Sequence, residues 1–261
     1  MTFLDNRDWI SAHRNKFRSA LERSNQLGEA STKLLTTAQV REDNLREIVV
    51  SSLLARSLEH YASVIRNAES GWPAPTQVAL RALIESVFTL RAVANDSEVL
   101  QRYLAEDDYQ RLALLKKLER TTTLALRKHY DADLKAELEE KIARTSTSMA
   151  SLRTDVLAEK AGLLEWYLVV YATLTGPAHS KIRDLQRYVQ SSAPEPLSLS
   201  LAPSEDDTLG LLSTAGNALL FAVETFQAVF DLSIEENVED LRRLFQKWGA
   251  VDGSGSMQNG A

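Results

Sequence analysis

Two side chains of opposite charge stand one helical turn apart in an apolar stretch. In the segment VALRALIESVFTLRAVA, Arg81 and Glu85 have apolar neighbours on both sides. Residues at i and i+4 lie one above the other on a helix. A helix that is apolar on two faces packs on both, so we expect this pair to be largely buried. Two interpretations stay open: an internal salt bridge that fixes the helix register, or a pocket wall whose guanidinium binds an anionic ligand.

A second arginine interrupts the apolar run of the preceding helix. Arg56 shares a helical face with Glu59 and Ser63, between Ile48 and Ile65. A solvated stripe explains Glu59 better than it explains Arg56. We therefore include Arg56 among the candidate ligand-binding residues.

A third polar group stands in Tyr171-Ala-Thr-Leu-Thr175-Gly-Pro-Ala-His179, where an apolar helix is expected to end at a Gly-Pro break. His179 would begin the next helix, a position at which free backbone N–H groups favour bound anions. Arg183 adds positive charge to the same short helix. Because imidazole titrates near neutral pH, His179 is a candidate general acid or base, and a hydrogen-bonded structural role is the alternative.

The elements that must position these groups are helices. The chain of 261 residues has only 10 Gly and 6 Pro, is rich in Leu, Ala, Glu and Arg, and lacks apolar alternation of period two. These features predict an all-α fold, a single elongated bundle of about eight or nine helices over residues 1–248, with a flexible tail at 249–261. The predicted helices begin near residues 5–8 and then cover approximately 39–70, 76–94, a stretch from 96 or 97, 131–145, 163–174, 209–230 and 234–248.

Three of these predictions concern how the helices pack and begin. Residues 163–174 are apolar nearly all round, so we expect a central buried helix there, whereas the narrow apolar stripe of 131–145 predicts a peripheral one. Ser204 and Ser233, each followed by acidic residues, have the pattern of an N-cap and predict the starts of the last two helices.

Composition and missing motifs exclude several classes of protein. There is no Cys, which excludes disulfides and thiolate metal sites, and the net charge of −6 argues against a broad surface for nucleic acid or for anionic membranes. No secretory leader and no apolar run near the ~20 residues of a membrane span is found, which predicts a cytoplasmic protein without a membrane partner. Phosphate-binding glycine loops, HExxH and GxSxG are absent, so no metal and no cofactor is expected.

Several of the residues above also resemble the pattern of a known family. It is a large bacterial all-helical family, catalogued only as a domain of unknown function with the number five-six-seven-seven. The resemblance covers about residues 40–188 and rests on Arg56, Arg81-x-x-x-Glu85 and Tyr171-x-x-Leu-Thr175-x-x-x-His179, in that order. The family has Ser at the position of Thr175, a change that keeps the hydroxyl. The resemblance implies that the Arg, Glu, Tyr and His side chains converge in one polar cavity.

That family is in turn similar to HEPN-type helical bundles, many of which are metal-independent ribonucleases of toxin and phage-defence systems. Their hallmark is an Arg followed by four to six residues and a His. The segment Arg56-Ser-Leu-Glu-His60 departs from this pattern, since only three residues intervene. A nuclease function therefore follows from analogy of fold alone.

Three functions are compatible with these observations. The first is a helical protein whose Arg/Glu/His pocket binds an anionic or nucleotide-like small molecule. The second is a metal-independent ribonuclease acting on RNA, in which His179 is the acid or base, Arg81 and Arg56 stabilise phosphate charge, and Glu85 orients an Arg. The third is a structural module that forms a homodimer through an exposed apolar helix face.

Overall fold

Helices make up nearly all of the regular structure in the computed structural model, which describes residues 7–144, 152–178, 182–190, 198–232 and 242–243. The α-helices are α1 (Arg7–Lys16), α2 (Arg18–Thr37), α3 (Leu45–Glu69), α4 (Pro73–Asn95), α5 (Ser97–Arg120), α6 (Leu124–Arg127), α7 (Ala132–Arg144), α8 (Thr154–Lys160), α9 (Leu164–Trp166), α10 (Thr175–Ala178), α11 (Ile182–Leu185) and α12 (Thr208–Phe230). A π-helical turn, Tyr167–Tyr171, follows α9, and β1 (Val189–Gln190) pairs antiparallel with β2 (Ser198–Leu199). The prediction of an all-α bundle is confirmed.

The centre of the bundle is formed by α3, α4 and α12, which pack against one another along their lengths. Helix α4 buries apolar side chains on two faces, with Leu83 on one and Phe88 on the other, as its sequence predicts. Helix α12 contributes Phe226, which is also fully buried. A fully buried side chain of this size contributes about 1.5–3 kcal/mol of hydrophobic stabilisation, so these three helices form the rigid scaffold for the polar groups of α4.

The turn between α3 and α4 requires a glycine. Gly71 has φ +69°, and a Cβ at this position would lie 2.1 Å from the indole of Trp9 on α1. Its carbonyl accepts a hydrogen bond from Ser204 N at 3.0 Å. Pro75 lies in the first turn of α4, where a missing N–H costs no helical hydrogen bond. The tight turn makes α3 and α4 antiparallel neighbours.

Helix α5 begins with a conventional N-cap and then extends away from the bundle. The side chain of Asp96 accepts hydrogen bonds from Glu98 N at 2.9 Å and Val99 N at 3.3 Å, which confirms the predicted helix start. The far half of α5 then packs against α7 rather than against the bundle. These two helices share a small core of their own, so α7 is peripheral, as predicted; its buried members are Leu112, Leu115 and Leu138.

The structure corrects the prediction of a central helix at 163–174. This stretch is divided between α9 and the π-helical turn, and Leu168 and Val169 face solvent while Tyr171 and Leu174 are buried. An apolar residue is not obliged to be buried, because much of any folded surface is apolar. Among the described helices, α12 is buried along much of its length, and it was also predicted.

Two predicted helix starts are displaced. The first predicted helix is broken at Phe17, which separates α1 from α2, and α3 begins at Leu45 behind the N-cap Asn44. Ser204 does not cap α12: its hydroxyl accepts from Asp206 N, and Asp207, at φ 59°, interrupts the helical run before Thr208. The predicted cap at Ser233 and the tail at 249–261 lie outside the described residues.

Helix α12 is the one described helix that is long and apolar enough to cross a membrane. Most of its apolar stretch is buried inside the bundle, as in the core helix of a soluble protein. A cytoplasmic location remains a prediction.

Candidate functional site

Arg81 projects from α4 towards the π-helical turn and lies over an aromatic ring. Its Cζ is 4.1 Å from the centroid of the Tyr171 ring, a distance at which the cation is attracted by the face of the ring. Its Nη2 donates a hydrogen bond to the Tyr171 hydroxyl. Only 17% of the Arg81 side chain is exposed, so the burial predicted for this residue is correct.

Two further oxygens hold the Arg81 guanidinium. Nη1 donates to Thr175 Oγ1 at 2.6 Å, and Nε donates to Glu85 Oε1 at 3.2 Å. The three partners of the guanidinium among the described residues are therefore side-chain oxygens. Because a guanidinium carries five N–H donors, two of them have no partner in the described part of the chain and could bind a ligand or water.

The phenol of Tyr171 links the arginine to the carboxylate. Its hydroxyl accepts from Arg81 and donates to Glu85 Oε1. Burial, together with the neighbouring Glu85 charge, raises the pKa of Tyr171 to about 12. The phenol is thus protonated at neutral pH and acts as a hydrogen-bond donor rather than as a base.

The π-helical turn determines where Tyr171 lies. Such turns insert an extra residue into a helix and are frequent at functional sites. Here Tyr167 and Tyr171 stack, with ring centroids 5.4 Å apart and planes inclined by 21°. One helical turn further on, Thr175 Oγ1 donates to the carbonyl of Tyr171 at 3.3 Å. The stacked rings and the threonine form one wall opposite α4.

The carboxylate of the predicted pair is not buried. Glu85 has 44% of its side chain exposed, against 17% for Arg81, so the prediction of two buried charges is wrong for Glu85. The reason is that α4 buries the apolar residues beside Glu85 but leaves the carboxylate at the edge of the packed face. Its Oε2 accepts no hydrogen bond from the part of the chain that the structure describes.

His60 on α3 belongs to the same neighbourhood and was missed from the sequence. Burial and then the charge of Arg56 lower the pKa of His60, while Glu59 and Glu85 act in the opposite sense. The imidazole is therefore mainly neutral at pH 7. Arg56 itself is exposed and forms no hydrogen bond or ion pair with a described residue.

A sequence signal for His60 does exist. His60 lies twelve residues before Trp72, and Glu85 lies thirteen residues after Trp72. In an antiparallel helix pair, residues equidistant from the turn lie at the same height. Arg56 is one turn further from that corner, on the face that it shares with His60. Pairing positions across the predicted turn would have brought His60 to Glu85.

The structure thus brings four of the predicted site residues into direct contact: Arg81, Glu85, Tyr171 and Thr175. Arg56 is connected to them through the electrostatic interactions of His60 with Arg56 and with Glu85. We define the Arg81 cluster as Arg56, His60, Arg81, Glu85, Tyr171 and Thr175. His179 and the side chain of Arg183, both predicted from the sequence, lie outside the described residues. Within the ranges described, no group of His, Asp and Glu side chains could hold a metal ion.

A separate cavity of about 580 Å³ lies between α2 and α3. It is lined by Gly28, Tyr61 and Arg66, among others, and the Tyr61 hydroxyl donates to the carbonyl of Ser24 at 3.0 Å. No residue of the Arg81 cluster lines it. The Arg81 cluster is therefore separate from this cavity.

Comparison with known proteins gives one result. The model of a family of unknown function, DUF5677, matches residues 47–196. This range contains every residue of the Arg81 cluster. No curated protein and no solved structure matches the chain.

Proposed function

Since the chain belongs to the DUF5677 family, whose function is not known, we propose a function from the site itself: the Arg81 cluster binds a nucleotide-like anionic ligand. The observation that carries the proposal is the state of the two arginines. Arg81 is held in place by three side chains and keeps two N–H donors, and Arg56 is exposed without an ion-pair partner among the described residues.

These two guanidiniums would bind the phosphate of the ligand. Charge-assisted hydrogen bonds from Arg to phosphate are shorter and stronger than bonds between neutral groups. Tyr171 and Thr175 already orient the Arg81 guanidinium, so that less side-chain entropy is lost when a ligand binds. Local positive charge is notable in a chain whose net charge is −6.

Two other features fit the remaining part of a nucleotide. The Oε2 atom of Glu85 can accept a hydrogen bond from a sugar hydroxyl, because only its Oε1 atom is engaged by described residues. Tyr167, half-buried and stacked on Tyr171, offers an aromatic face on which a base can stack. A ligand with a phosphate, hydroxyls and a flat ring would use all of these groups.

Thermal unfolding in the presence of AMP, ADP, ATP and inorganic phosphate tests this proposal. A ligand at a hundred times its Kd should raise Tm by about 5 °C. Arg56→Gln should remove most of the shift while Arg66→Gln, which deletes an equally exposed charge on the same helix, should keep it. If no ligand raises Tm, or if both variants retain the full shift, the cluster is a structural salt bridge and the proposal fails.

The second candidate, metal-independent cleavage of RNA, is favoured by one observation. His60 is mainly neutral and lies in the electrostatic reach of Arg56 and Glu85. A neutral imidazole can take the proton of a ribose 2′-hydroxyl, whose oxygen attacks phosphorus as the bond to the 5′-oxygen breaks. The guanidiniums would stabilise the charge on phosphorus, and the leaving oxygen would take a proton from solvent.

A HEPN-like spacing does occur once near the start of the chain. Five residues separate Arg7 from His13. His13 is buried between the rings of Trp9 and Phe17, so its imidazole is not accessible to RNA. The candidate bases are therefore His60 and the predicted His179.

Incubation with total RNA in the presence of EDTA distinguishes the two candidates. Cleavage that is lost in either His60→Ala or His179→Ala, with folding intact by circular dichroism, would support the nuclease. Ligand binding without cleavage would leave the binding function alone. Equal cleavage by the wild type and by both variants would indicate a contaminating nuclease and remove this candidate.

A further inference from the structure

A helical arm formed by α5, α6 and α7 extends the chain beyond the bundle. The arm has a core separate from the main one, with Tyr130, Leu134 and Ile142 packed around its three buried leucines. Helix α7 has its main contacts with α5, and α6 also packs on α5. The turn that carries α6 is thus supported by the arm and not by the bundle.

The end of this arm, which we call the arm tip (residues 116–129), is strongly basic. It contains five Lys or Arg residues and one acidic residue, Glu119, in a chain with a net charge of −6. Glu119 is already engaged, since it accepts from Lys135 Nζ at 2.9 Å and from the Tyr130 hydroxyl at 3.1 Å. Lys116 forms an ion pair with Glu139 at 3.3 Å.

The other cations of the arm tip have no such partners. No ion pair joins them to a described residue, and all of them are exposed: Lys117, Arg120, Arg127 and Lys128. Lys117 and Arg120 stand in the last turn of α5, where cations also offset the helix dipole. Arg127 and Lys128 have no comparable role, because α6 is only one turn long.

Two leucines are exposed among these cations. Leu124 has 82% and Leu126 has 52% of its surface accessible to solvent. A single exposed leucine is ordinary, but two of them on one short turn, surrounded by unpaired cations, form a mixed apolar and basic surface. Nothing among the described residues packs against Leu124 from outside the arm.

We propose that the arm tip docks on an anionic lipid surface, in contrast to the sequence-based expectation of no membrane partner. Lys and Arg side chains there would contact lipid phosphates and carboxylates, while Leu124 and Leu126 enter the boundary between headgroups and acyl chains. The arm tip contains no Phe, Tyr or Trp on which a base could stack, which argues against single-stranded nucleic acid.

The charge distribution of the chain sets the orientation and the strength of this contact. The net negative charge of the rest of the chain disfavours its approach to anionic lipid, whereas the arm tip is attracted to it. Attraction acts over about a Debye length, roughly 8 Å at physiological ionic strength, which favours a contact limited to a protruding element. Two leucines and four cations give a reversible and salt-sensitive association rather than a permanent anchor.

Sedimentation with vesicles tests the proposal. The full chain should sediment with vesicles of phosphatidylserine and phosphatidylcholine, and remain in solution with phosphatidylcholine alone. Raising the salt concentration from 0.1 to 0.5 M should release it. Arg127→Gln combined with Lys128→Gln should weaken binding about tenfold or more, because each cation near the surface contributes to the attraction.

A matched control separates a local contact from an effect of net charge. Arg18→Gln combined with Lys33→Gln removes two exposed cations from α2 and should leave vesicle binding within twofold of the wild type. Leu124→Ser should also weaken binding although it changes no charge. All three variants should keep the wild-type circular dichroism, since the altered side chains are exposed.

Several results would overturn the proposal. These are equal binding to both kinds of vesicle, equal losses in the two double variants, or no loss in Leu124→Ser. Displacement from vesicles by RNA at low concentration, with direct RNA binding at the arm tip, would assign the surface to nucleic acid instead. The outcome is independent of the Arg81 cluster, which none of these substitutions touches.

Discussion

Arg81 and Arg91 lie ten residues apart on α4 and are similar in exposure and in their aromatic contacts. Their side chains are 17% and 23% exposed. Each guanidinium lies against an aromatic ring, Tyr171 at 4.1 Å for Arg81 and Phe221 at 5.4 Å for Arg91. What differs is the kind of oxygen that each one binds.

Arg91 is bound mainly by the backbone of two other elements. Its Nε donates to the carbonyl of Ala161 at 3.1 Å and its Nη1 donates to the carbonyl of Phe221 at 3.4 Å, with Glu224 at 3.7 Å. These carbonyls are fixed by the fold, so Arg91 ties α4 to α12 and to the end of α8. The partners of Arg81 are side chains that can rotate. The comparison shows that one helix can carry a structural arginine and an adaptable one.

Arg91→Met should cause the larger loss of stability. It removes one donor from the partly buried carbonyls of Ala161 and Phe221, although the Phe221 carbonyl still accepts from Thr225 Oγ1. It also takes this nearby cation from Glu224. We expect the free energy of unfolding to fall by about 3 kcal/mol, measured by urea denaturation. Ligand-induced shifts in Tm should persist in the folded fraction. A loss smaller than that of Arg81→Met would reverse the roles that we assign to the two arginines.

Arg81→Met should cost less stability and more function. Glu85 is partly exposed and can be solvated by water, and the hydroxyls of Tyr171 and Thr175 can turn towards other partners. We therefore expect a fall of about 1.5 kcal/mol in the free energy of unfolding. The Tm shift produced by nucleotides should disappear. A variant that unfolds as readily as Arg91→Met and still responds to ligand would show that Arg81 is only structural.

Tyr171→Phe sharpens the comparison, because it removes one hydroxyl and leaves the ring under Arg81. The expected loss is about 1 kcal/mol, and in a double-mutant cycle it should be non-additive with Arg81→Met. The ring beside Arg91, Phe221, has no hydroxyl, so the corresponding change cannot be made there.

The same hydroxyl predicts a dependence on alkaline pH. The pKa of Tyr171 is raised to about 12 in the folded chain, above the value near 10 of an unfolded tyrosine. The folded state therefore binds the phenolic proton more tightly, and the associated stability is present below pH 10 and is lost as the pH rises through 12. Between pH 9 and 11, the free energy of unfolding measured by urea denaturation should fall less in Tyr171→Phe than in the wild type. An equal dependence on pH in both proteins would contradict this prediction.

The sequence predicted the scaffold better than the site. Helix spacing and sparse breakers were enough for α3, α4, α5 and α12, because long amphipathic or apolar patterns determine which residues pack. The partners of a polar side chain depend on the tertiary arrangement. Arg91 was not singled out at all, although its sequence context resembles that of Arg81.

Two features of the site could not be predicted from the periodicity of hydrophobic residues. The π-helical turn changes the register of the segment that carries Tyr171, and a hydrophobic pattern gives no sign of one inserted residue. The exposure of Glu85 depends on how far its neighbours in space extend. The resemblance to the family pattern implied that Arg56, Arg81, Glu85, Tyr171 and His179 converge. The structure brings Arg81, Glu85 and Tyr171 into contact and adds Thr175, whereas His179 lies outside the described residues.

The smallest expected effect concerns His60 on α3, which interacts electrostatically with Arg56 and Glu85. Burial and Arg56 lower the pKa of His60 below its ordinary value of 6.5, so its positive charge appears only as the pH falls below that value. An imidazolium beside Arg56 should tighten binding of a dianion by about two- to threefold. Sulfate is the suitable probe for calorimetry, because unlike phosphate it does not change its charge between pH 5 and 8. His60→Gln should flatten this dependence, and Arg91→Gln should leave it intact because Arg91 lies outside the cluster. A flat profile in the wild type would place His60 outside the binding site and confine the adaptable region to α4 and the π-helical turn.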